Sequence, residues 1–407
     1  MTALFCDPED ENMPPSDLAD LRGNRPTLLC LSHLRWHFVY QRPQHLLSRA
    51  ANYADVLFLE EPVFGSMNPR LEVTDVHPGV QVLVPHLPAG TPEDICEAQQ
   101  RELLDEYLAA QSLSDLILWY YTPMALGFTG HLQPDFCVYD CMDELTAFRF
   151  APPRLIEREI ELLARCDVVF TGGQSLFEAK RGRHPNLYCF PSSIDKAHFA
   201  QARQLSGQPE PTDQSAIPPR RAGFAGVIDE RMDLELLRSM AEIASDLQFV
   251  MLGPVVKVEP GDLPRLPNIH WLGPKQYAEL PRYLAGWDCG IMPFALNEST
   301  RFISPTKTPE YLAAGLPVVS TDINDVRRPY FDAGLVSIAT TAAGFIREIE
   351  RAIALRSDEK RMKRVDQFLA DKSWDSTFAG MAALIREGYE NFGLRSTERV
   401  DGSERVW

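Results

Sequence analysis

The chain lacks most of what would let it bind nucleic acid, hold a structural metal or cross a membrane. Lysine and arginine number 40 against 57 aspartates and glutamates, a net charge of -17. No basic surface for a polyanion is therefore expected. Eight cysteines (Cys6, Cys30, Cys96, Cys137, Cys141, Cys166, Cys189 and Cys289) form no C-x-x-C pair and no Cys/His cluster, which argues against structural zinc. Several lie inside apolar runs such as Leu28-Leu29-Cys30-Leu31, as buried free thiols in a reducing compartment do. No apolar run reaches the length of a bilayer span. The acidic, proline-containing start from Met1 to Asn24 lacks the basic residues and apolar stretch of a signal peptide. The expected location is the cytoplasm, with a peripheral contact to the inner face of the membrane left open. The late basic run Lys360, Arg361, Lys363 and Arg364 reads first as a solvated helix face, and second as a contact for anionic lipid.

What is present is the composition of a globular protein, 45% apolar and 24% charged. A chain of 407 residues exceeds one ordinary core and suggests two domains. Short apolar runs alternate with amphipathic ones from Arg25 to Phe199. Strands are expected at Thr27 to Ser32, Asp55 to Leu59, Val80 to Val84, Leu116 to Tyr120, Phe136 to Tyr139, Asp167 to Thr171 and Leu187 to Phe190. Helices are expected at Pro43 to Tyr53, Pro92 to Ala110 and Arg154 to Arg165. This alternation indicates a parallel sheet covered on both faces.

Residues 201–220 then carry Gly207, Pro209, Pro211, Pro218 and Pro219 among polar residues, the signature of a linker. A second alternating run follows, with strands at Arg221 to Ala225, Gln248 to Leu252, Ile269 to Leu272, Cys289 to Pro293 and Val336 to Ile338. Two helical patterns close the chain, Asp358 to Leu369 and Asp375 to Tyr389. The expected organisation is an acidic tail (1–24), a first domain (25–200), a linker (201–220), a second domain (221–372), a helix returning to the first domain (373–395) and a tail (396–407). The fold class is α/β, with two doubly wound Rossmann-like domains facing across a cleft. Ligands in such sheets bind beyond the carboxyl ends of the strands.

One segment stands out, Ser304-Pro305-Thr306-Lys307-Thr308-Pro309-Glu310-Tyr311-Leu312-Ala313-Ala314-Gly315-Leu316-Pro317-Val318-Val319-Ser320. Ser304-Pro305 and Thr308-Pro309 each pair a hydroxyl cap with proline, a helix start. Gly315 is a helix stop, and an apolar strand follows. Lys307 near the positive helix end is unfavourable by roughly 0.3–1 kcal/mol unless an anion docks there. The segment reads as a phosphate site with Glu310 one turn deeper to accept from hydroxyls. The plainer reading is a solvated lysine and a dipole-stabilising glutamate.

Glu310 to Val319 resembles the E-x-x-A-x-G-x-P-V motif of glycosyltransferases with the GT-B fold, which use nucleotide-diphosphate sugars. Asn268 to Gly273 is similar to the strand ahead of the donor loops in that family, Tyr283 to Phe294 to the element after it, and Pro191 to Phe199 to the join at the end of the first domain. His33 to Leu47 and Tyr139 to Glu144 resemble a bacterial subgroup associated with exopolysaccharide, teichuronic-acid or other cell-surface glycan assembly. The resemblance runs from about residue 27 to residue 391. It implies a donor site in the second domain. There Glu310 would bind ribose hydroxyls, Lys307 with Ser304, Pro305 and Thr306 would neutralise the leaving diphosphate, and Arg231 in the loop with Gly226 would assist. Gly253 and the segment Gly273 to Tyr277 would frame the base, and Gly-Pro turn chemistry alone explains Gly253 equally well. For Arg231 the plainer alternative is a salt bridge with Asp229 or Glu235.

The first domain would hold the acceptor. If configuration inverts, a base must take the acceptor proton. Asp143, after the strand Phe136 to Tyr139, is the choice, with Asp140 and Glu144 as alternatives and helix capping as the plain role of all three. His33, Arg42 and His45 follow the first strand as acceptor contacts or as structural residues. Trp36, Phe38, Tyr40, Trp119, Tyr120 and Tyr121 near strand ends suit sugar or lipid stacking, or the core, which is favoured for Trp119. Many retaining family members carry a second glutamate eight positions before the motif glutamate; here Phe302 stands there and the nearest upstream acid is Glu298. That departure counts against the usual sugar contact and against retention, which would need no such base; inversion and retention are both carried as expectations.

No D-x-D with room for a metal appears at a strand end, so neither metal nor cofactor is expected. The leading expectation is a metal-independent transferase moving a sugar from a nucleotide-diphosphate donor, UDP-linked, to a cell-surface glycan, exopolysaccharide or lipid-linked precursor. The alternatives are a nucleotide-sugar epimerase on the same fold and a non-catalytic subunit that binds nucleotide or glycan.

Overall fold

The computed structural model describes residues 25–401 except Ser112 and Ser114, with side chains to residue 389. The expected acidic tail and the last six residues lie outside that range. Among the described residues the first domain carries a nine-stranded sheet. Its strands are β1 (Thr27–Leu31), β2 (Asp55–Leu59), β3 (Val63–Phe64), β4 (Arg70–His77), β5 (Val80–Leu87), β6 (Leu116–Tyr120), β7 (Phe136–Cys141), β8 (Val168–Thr171) and β9 (Leu187–Cys189). They run in the order β3-β5-β2-β1-β6-β7-β8-β9, all parallel, with β4 antiparallel on β5. The second sheet has β10 (Arg221–Ala225), β11 (Gln248–Leu252), β12 (Ile269–Gly273), β13 (Cys289–Met292), β14 (Val318–Ser320) and β15 (Val336–Ile338). Its order is β12-β11-β10-β13-β14-β15, again all parallel. Strands buried on both faces read as continuous apolar runs, as Leu28-Leu29-Cys30-Leu31 does. The order reverses at β1/β6 and at β10/β13, where a crevice opens at the carboxyl ends.

Each sheet has its own core. Leu29, Leu118 and Val169 lead one face of the first sheet, and Cys30, Phe58 and Val138 the other. The second face is closed by the last helix, Trp374–Asp401, through Trp374, Phe378, Met381 and Ile385. The chain thus returns to the first domain, and its helix continues past residue 395 to Asp401. Ser373 caps this helix, its hydroxyl accepting from the Ser376 N–H at 3.0 Å. The seven described cysteines are free.

Three expectations are corrected. The segment 201–220 is not a loose linker. Helix Lys196–Leu205 continues into it, and Phe199 and Ala202 belong to the second domain's core. Gln214 is buried, donating to the Tyr283 carbonyl at 3.0 Å and accepting from the Trp287 indole at 2.9 Å. Prolines punctuate this segment without freeing it, because its apolar side chains find a groove on the second domain. Next, β3 and β4 escaped the sequence pattern because β4 is exposed almost throughout, so no apolar run marks it. Finally, the basic run in helix Glu359–Phe368 is not wholly a solvated face. Arg361 is buried and donates to the Gly315 and Leu316 carbonyls.

Arg42 is also corrected. It was expected to contact acceptor, yet it is fully buried beneath the first sheet's carboxyl edge. Its guanidinium donates to both Asp140 oxygens, at 2.8 and 2.9 Å, and to the Phe190 carbonyl at 2.8 Å. Asp140 is equally buried, so it too is structural. Leaving one partner of such a pair alone costs about 3–5 kcal/mol. We expect Asp140→Ala to lower the unfolding free energy by about that amount in a denaturant titration. The apolar pair Arg42→Met with Asp140→Leu should recover most of it. A loss below about 1 kcal/mol in the single variant would remove this role.

Candidate functional site

A cavity of about 470 Å3 lies between the two domains. Its floor is built where three neighbouring strands end. Ala225 ends β10 and Gly226 follows it, Leu252 ends β11 and Gly253 and Pro254 follow, and Pro274 to Tyr277 follow β12. The loops are stitched by backbone bonds, Gly226 N–H to Leu252 O and Gly253 N–H to Gly273 O, each 2.9 Å. Glycine is required at 253, where φ is +137° and a Cβ would stand 1.8 Å from the Gly226 oxygen.

Lys307 and Glu310 form the next wall. They sit on the seven-residue helix Lys307–Ala313. The expected caps differ from those observed. Thr306 is the residue before the helix and makes no side-chain cap, while Thr308 is buried inside it, its hydroxyl 3.6 Å from the Met292 sulfur. Gly315 takes φ +88° and ends the helix. Tyr311 fixes the helix to the floor, its hydroxyl accepting from the Ala225 N–H at 2.7 Å. Lys307 Nζ lies 3.2 Å from both Glu310 Oε2 and Thr306 Oγ1. Burial raises the Glu310 carboxyl above its usual range, with Lys307 pulling the other way. A helix start holding one cation and one buried carboxylate side by side can meet a phosphate and a diol together.

The facing wall comes from the first domain, the loop Trp36 to Tyr40 after β1. Glu60 Oε1 accepts from the Trp36 N–H at 2.8 Å, and the Gln44 amide donates to the Trp36 and Val39 carbonyls. Phe38 and Tyr40 stay 48% and 41% exposed, so their rings remain free to stack on a ligand. Tyr40 stands 4.7 Å from Tyr277, which stacks in turn on His198 at 4.4 Å. The aromatics were visible in the sequence as a cluster after a strand, but their assignment to this wall was not. Trp119, Tyr120 and Tyr121 are core.

Gly226, Gly253, Tyr277, Lys307 and Glu310 therefore share one cavity, whereas Arg231, Ser304, Pro305 and Thr306 do not line it. Arg231 pairs with Asp229 through three side-chain bonds of 2.9, 3.1 and 2.7 Å. Ser304 packs against Gly173 of the first domain. His33 and His45 also lie off the cavity. His45 is buried and stacked on Trp374 at 4.5 Å, a structural wedge rather than an acceptor contact. Burial, with Arg49 nearby, lowers its pKa to about 3, so the ring is neutral. Burial likewise lowers His33 to about 4.

Of the three candidate bases, Asp140 is locked to Arg42. Glu144 pairs with buried Lys180 at 2.9 Å; burial works to raise its carboxyl, but Lys180 and Thr146 hold it below the usual range. Asp143 alone makes no ion pair within 4 Å among the described residues. Burial raises its pKa to about 6, with Asp229 adding to the rise and Arg231 and Arg42 opposing it. Asp143 does not line the cavity; the second-domain charges of Arg231 and Asp229 act on it through space. Phe148, five residues on, lies under both Arg231 and Lys257, at 5.5 and 5.8 Å. Lys257 was not anticipated, since a lone lysine in a Val-Val-Lys-Val run carries no motif. Phe302, in place of the family's second glutamate, packs against the first domain's core.

We expect Gly253→Ala to abolish nucleotide-dependent stabilisation and to cost at least about 1–3 kcal/mol in backbone strain. Gly261→Ala, where a Cβ meets nothing within 4 Å, is the control and should change neither. Equal Tm values for the two variants would contradict the close approach.

With that geometry in place, comparison with known proteins is informative. Residues 219–354 match the family described as Glycosyl transferases group 1, the part that supplies the cavity's floor and helix. Over 302 residues the chain is 26% identical to the putative teichuronic acid biosynthesis glycosyltransferase TuaH of Bacillus subtilis strain 168, covering 68% of this chain and 73% of that protein. Among solved structures, sucrose-phosphate synthase from Thermosynechococcus elongatus superposes with a TM-score of 0.67 at 14% identity, over 90% of this chain and 100% of that one. HepE of Anabaena, solved in complex with UDP, gives 0.56 at 14% identity, over 93% and 100%. Two parallel sheets facing across a cleft, a matched domain and a glycosyltransferase relative agree: residues 219–354 form a glycosyltransferase group 1 domain within a GT-B fold.

Proposed function

We propose that the protein transfers a sugar from a nucleotide-diphosphate donor, UDP-linked, to a hydroxyl of a cell-surface glycan, exopolysaccharide or lipid-linked precursor, without a metal ion. The observation that carries this reading is the convergence of Lys307, Glu310 and the close-packed Gly226 and Gly253 loops on one interdomain cavity. Lys307 would neutralise the departing diphosphate, Glu310 would accept from ribose hydroxyls, and Tyr277 would border the base. The relative's role in teichuronic acid biosynthesis supports the acceptor class, and the UDP complex of a fold neighbour supports the nucleotide. Asp143, with a pKa of about 6, suits a base working near neutrality. Phe302 leaves the cleft without the second glutamate, which favours a base-assisted, inverting transfer. Among the described residues no helix is long and apolar enough to cross a membrane; a membrane-bound acceptor would be met from the surface.

UDP should raise Tm in a thermal-shift assay, and the rise should survive a chelator and shrink in Lys307→Ala. A shift that needs a divalent ion would refute the metal-free part.

Asp143→Asn should keep the UDP shift and lose transfer by about 10²–10⁴-fold. The base acts ionised, so wild-type kcat/KM should climb as pH rises through about 6. That limb should vanish in the variant. A variant with near wild-type turnover, or an axial product anomer from an axial donor by NMR, would discard Asp143 as base.

A further inference from the structure

We propose that Asp325 is a latch between the domains: from the second domain it completes a helix of the first, and so holds the interdomain cavity closed. Its bearing on a sugar donor rests on the transfer reading above. The first-domain helix Gln174–Lys180 follows β8 and starts with a defect. Its N-cap is Gly173, which has no side chain to accept from the first N–H groups. Asp325 supplies the missing acceptor across the interface, its Oδ1 accepting from the Ser175 N–H at 3.0 Å. Asp325 is buried, and the flanking Ile323 and Val326 are set in the second domain's core. The second domain therefore presents this carboxylate from a fixed backbone.

Two glycines let the surfaces meet. Gly173 has φ of -169°, extended backbone that any residue adopts, so glycine is needed there for space alone. A Cβ at 173 would overlap the Asp325 carboxylate and stand 2.8 Å from the Ser304 Cβ. Ser304 begins the segment that runs to Lys307, so that segment rests on the same glycine as the latch. At Gly172 a Cβ would overlap the carbonyl of Met142, the residue before Asp143. One turn thus holds the end of β7 on one side and the second domain on the other. The ion pair at this corner, Arg328 with Glu178 at 3.8 Å, is 62% and 47% exposed. Such a pair contributes little, which leaves the buried cap as the main polar tie at this corner.

The test reads domain opening away from the latch. The Arg149 N–H donates to Glu230 Oε1 at 2.8 Å across another part of the interface, so its hydrogen exchange follows opening. In the full chain, Asp325→Ala should speed that exchange about 2- to 30-fold, the range a lost N-cap spans. The radius of gyration in solution scattering should rise with it. Asp325→Asn, whose amide oxygen still caps, should restore most of both. Gly173→Ala, which wedges the interface from the first domain, should reproduce Asp325→Ala without touching the carboxylate. Glu178→Gln should change neither reading. UDP, whose cavity has a wall from each domain, should slow the exchange in the wild type. Its Kd should rise in Asp325→Ala by no more than the factor by which exchange quickens.

Exchange at Arg149 that stays unchanged in Asp325→Ala and Gly173→Ala, or that Asp325→Asn does not restore, overturns the latch. A larger rise in Kd also overturns it, because Asp325 would then act on the nucleotide directly. If UDP fails to bind the wild type, the transferase reading falls and the bearing of the latch on a donor falls with it. The exchange still decides whether the domains are latched.

Discussion

The site depends on one short helix being held at its C-terminal end and its middle. Lys307–Ala313 has seven residues, too few to be stable as an isolated helix. Its terminal carbonyls are taken by two arginines from distant parts of the chain. Arg203 donates to the Ala313 carbonyl at 2.7 Å, and Arg361 donates to those of Gly315 and Leu316 just beyond. Cations at that end also complement the helix dipole. Tyr311 pins the middle to the N–H of Ala225. Lys307 and Glu310 are thus presented by a rigid element although each is only one turn from a loop. The cost of placing a lysine at a helix start is offset locally by Glu310 at 3.2 Å, and a bound anion would offset it further.

The fold was legible because both sheets are parallel and buried, so each strand is written as an apolar run. β2, β6, β10 and β11 match their expected bounds. The edge strand β4 was illegible for the converse reason, since an exposed strand has no apolar run to read. Within the site, the segment around Glu310 announced itself through proline, glycine and a charge at a helix start. Arg42 and His45 misled because sequence gives residue type and position but not direction. Both follow a strand's carboxyl end, yet Arg42 turns down to Asp140 and His45 toward Trp374. The wall from Trp36 to Tyr40 needed the second domain to give its aromatics a cavity to face.

The polar ties between the domains include carboxylates meeting backbone N–H groups and two long ion pairs, Arg149–Glu230 and Arg328–Glu178, each at 3.8 Å. Asp325 accepts from the N–H of Ser175 at 3.0 Å, at the start of helix Gln174–Lys180, and Glu230 accepts from that of Arg149 at 2.8 Å. The second Glu230 oxygen makes no hydrogen bond and lies 3.8 Å from the Arg149 guanidinium. Such an interface resembles a transient contact more than a core, and relative motion of the domains is the ordinary expectation for it. The cavity lies between the surfaces that would move.

The chain crosses between domains twice, at helix Lys196–Leu205 and at Trp374, and one stack of rings joins the two crossings. His198, on the first, stacks on Tyr277 at 4.4 Å; Tyr277 lies 5.5 Å from His45; and His45 stacks on Trp374, on the second, at 4.5 Å. His45 stays neutral at physiological pH, so this contact is one of packing and not of charge. Tyr277 also lines the interdomain cavity, and its buried hydroxyl makes no hydrogen bond among the described residues. A nucleotide that paired with that hydroxyl would bind a ring shared by the cavity and the stack that joins the crossings. Occupancy and domain angle are then coupled through Tyr277 to whatever extent the ligand prefers one position of the ring.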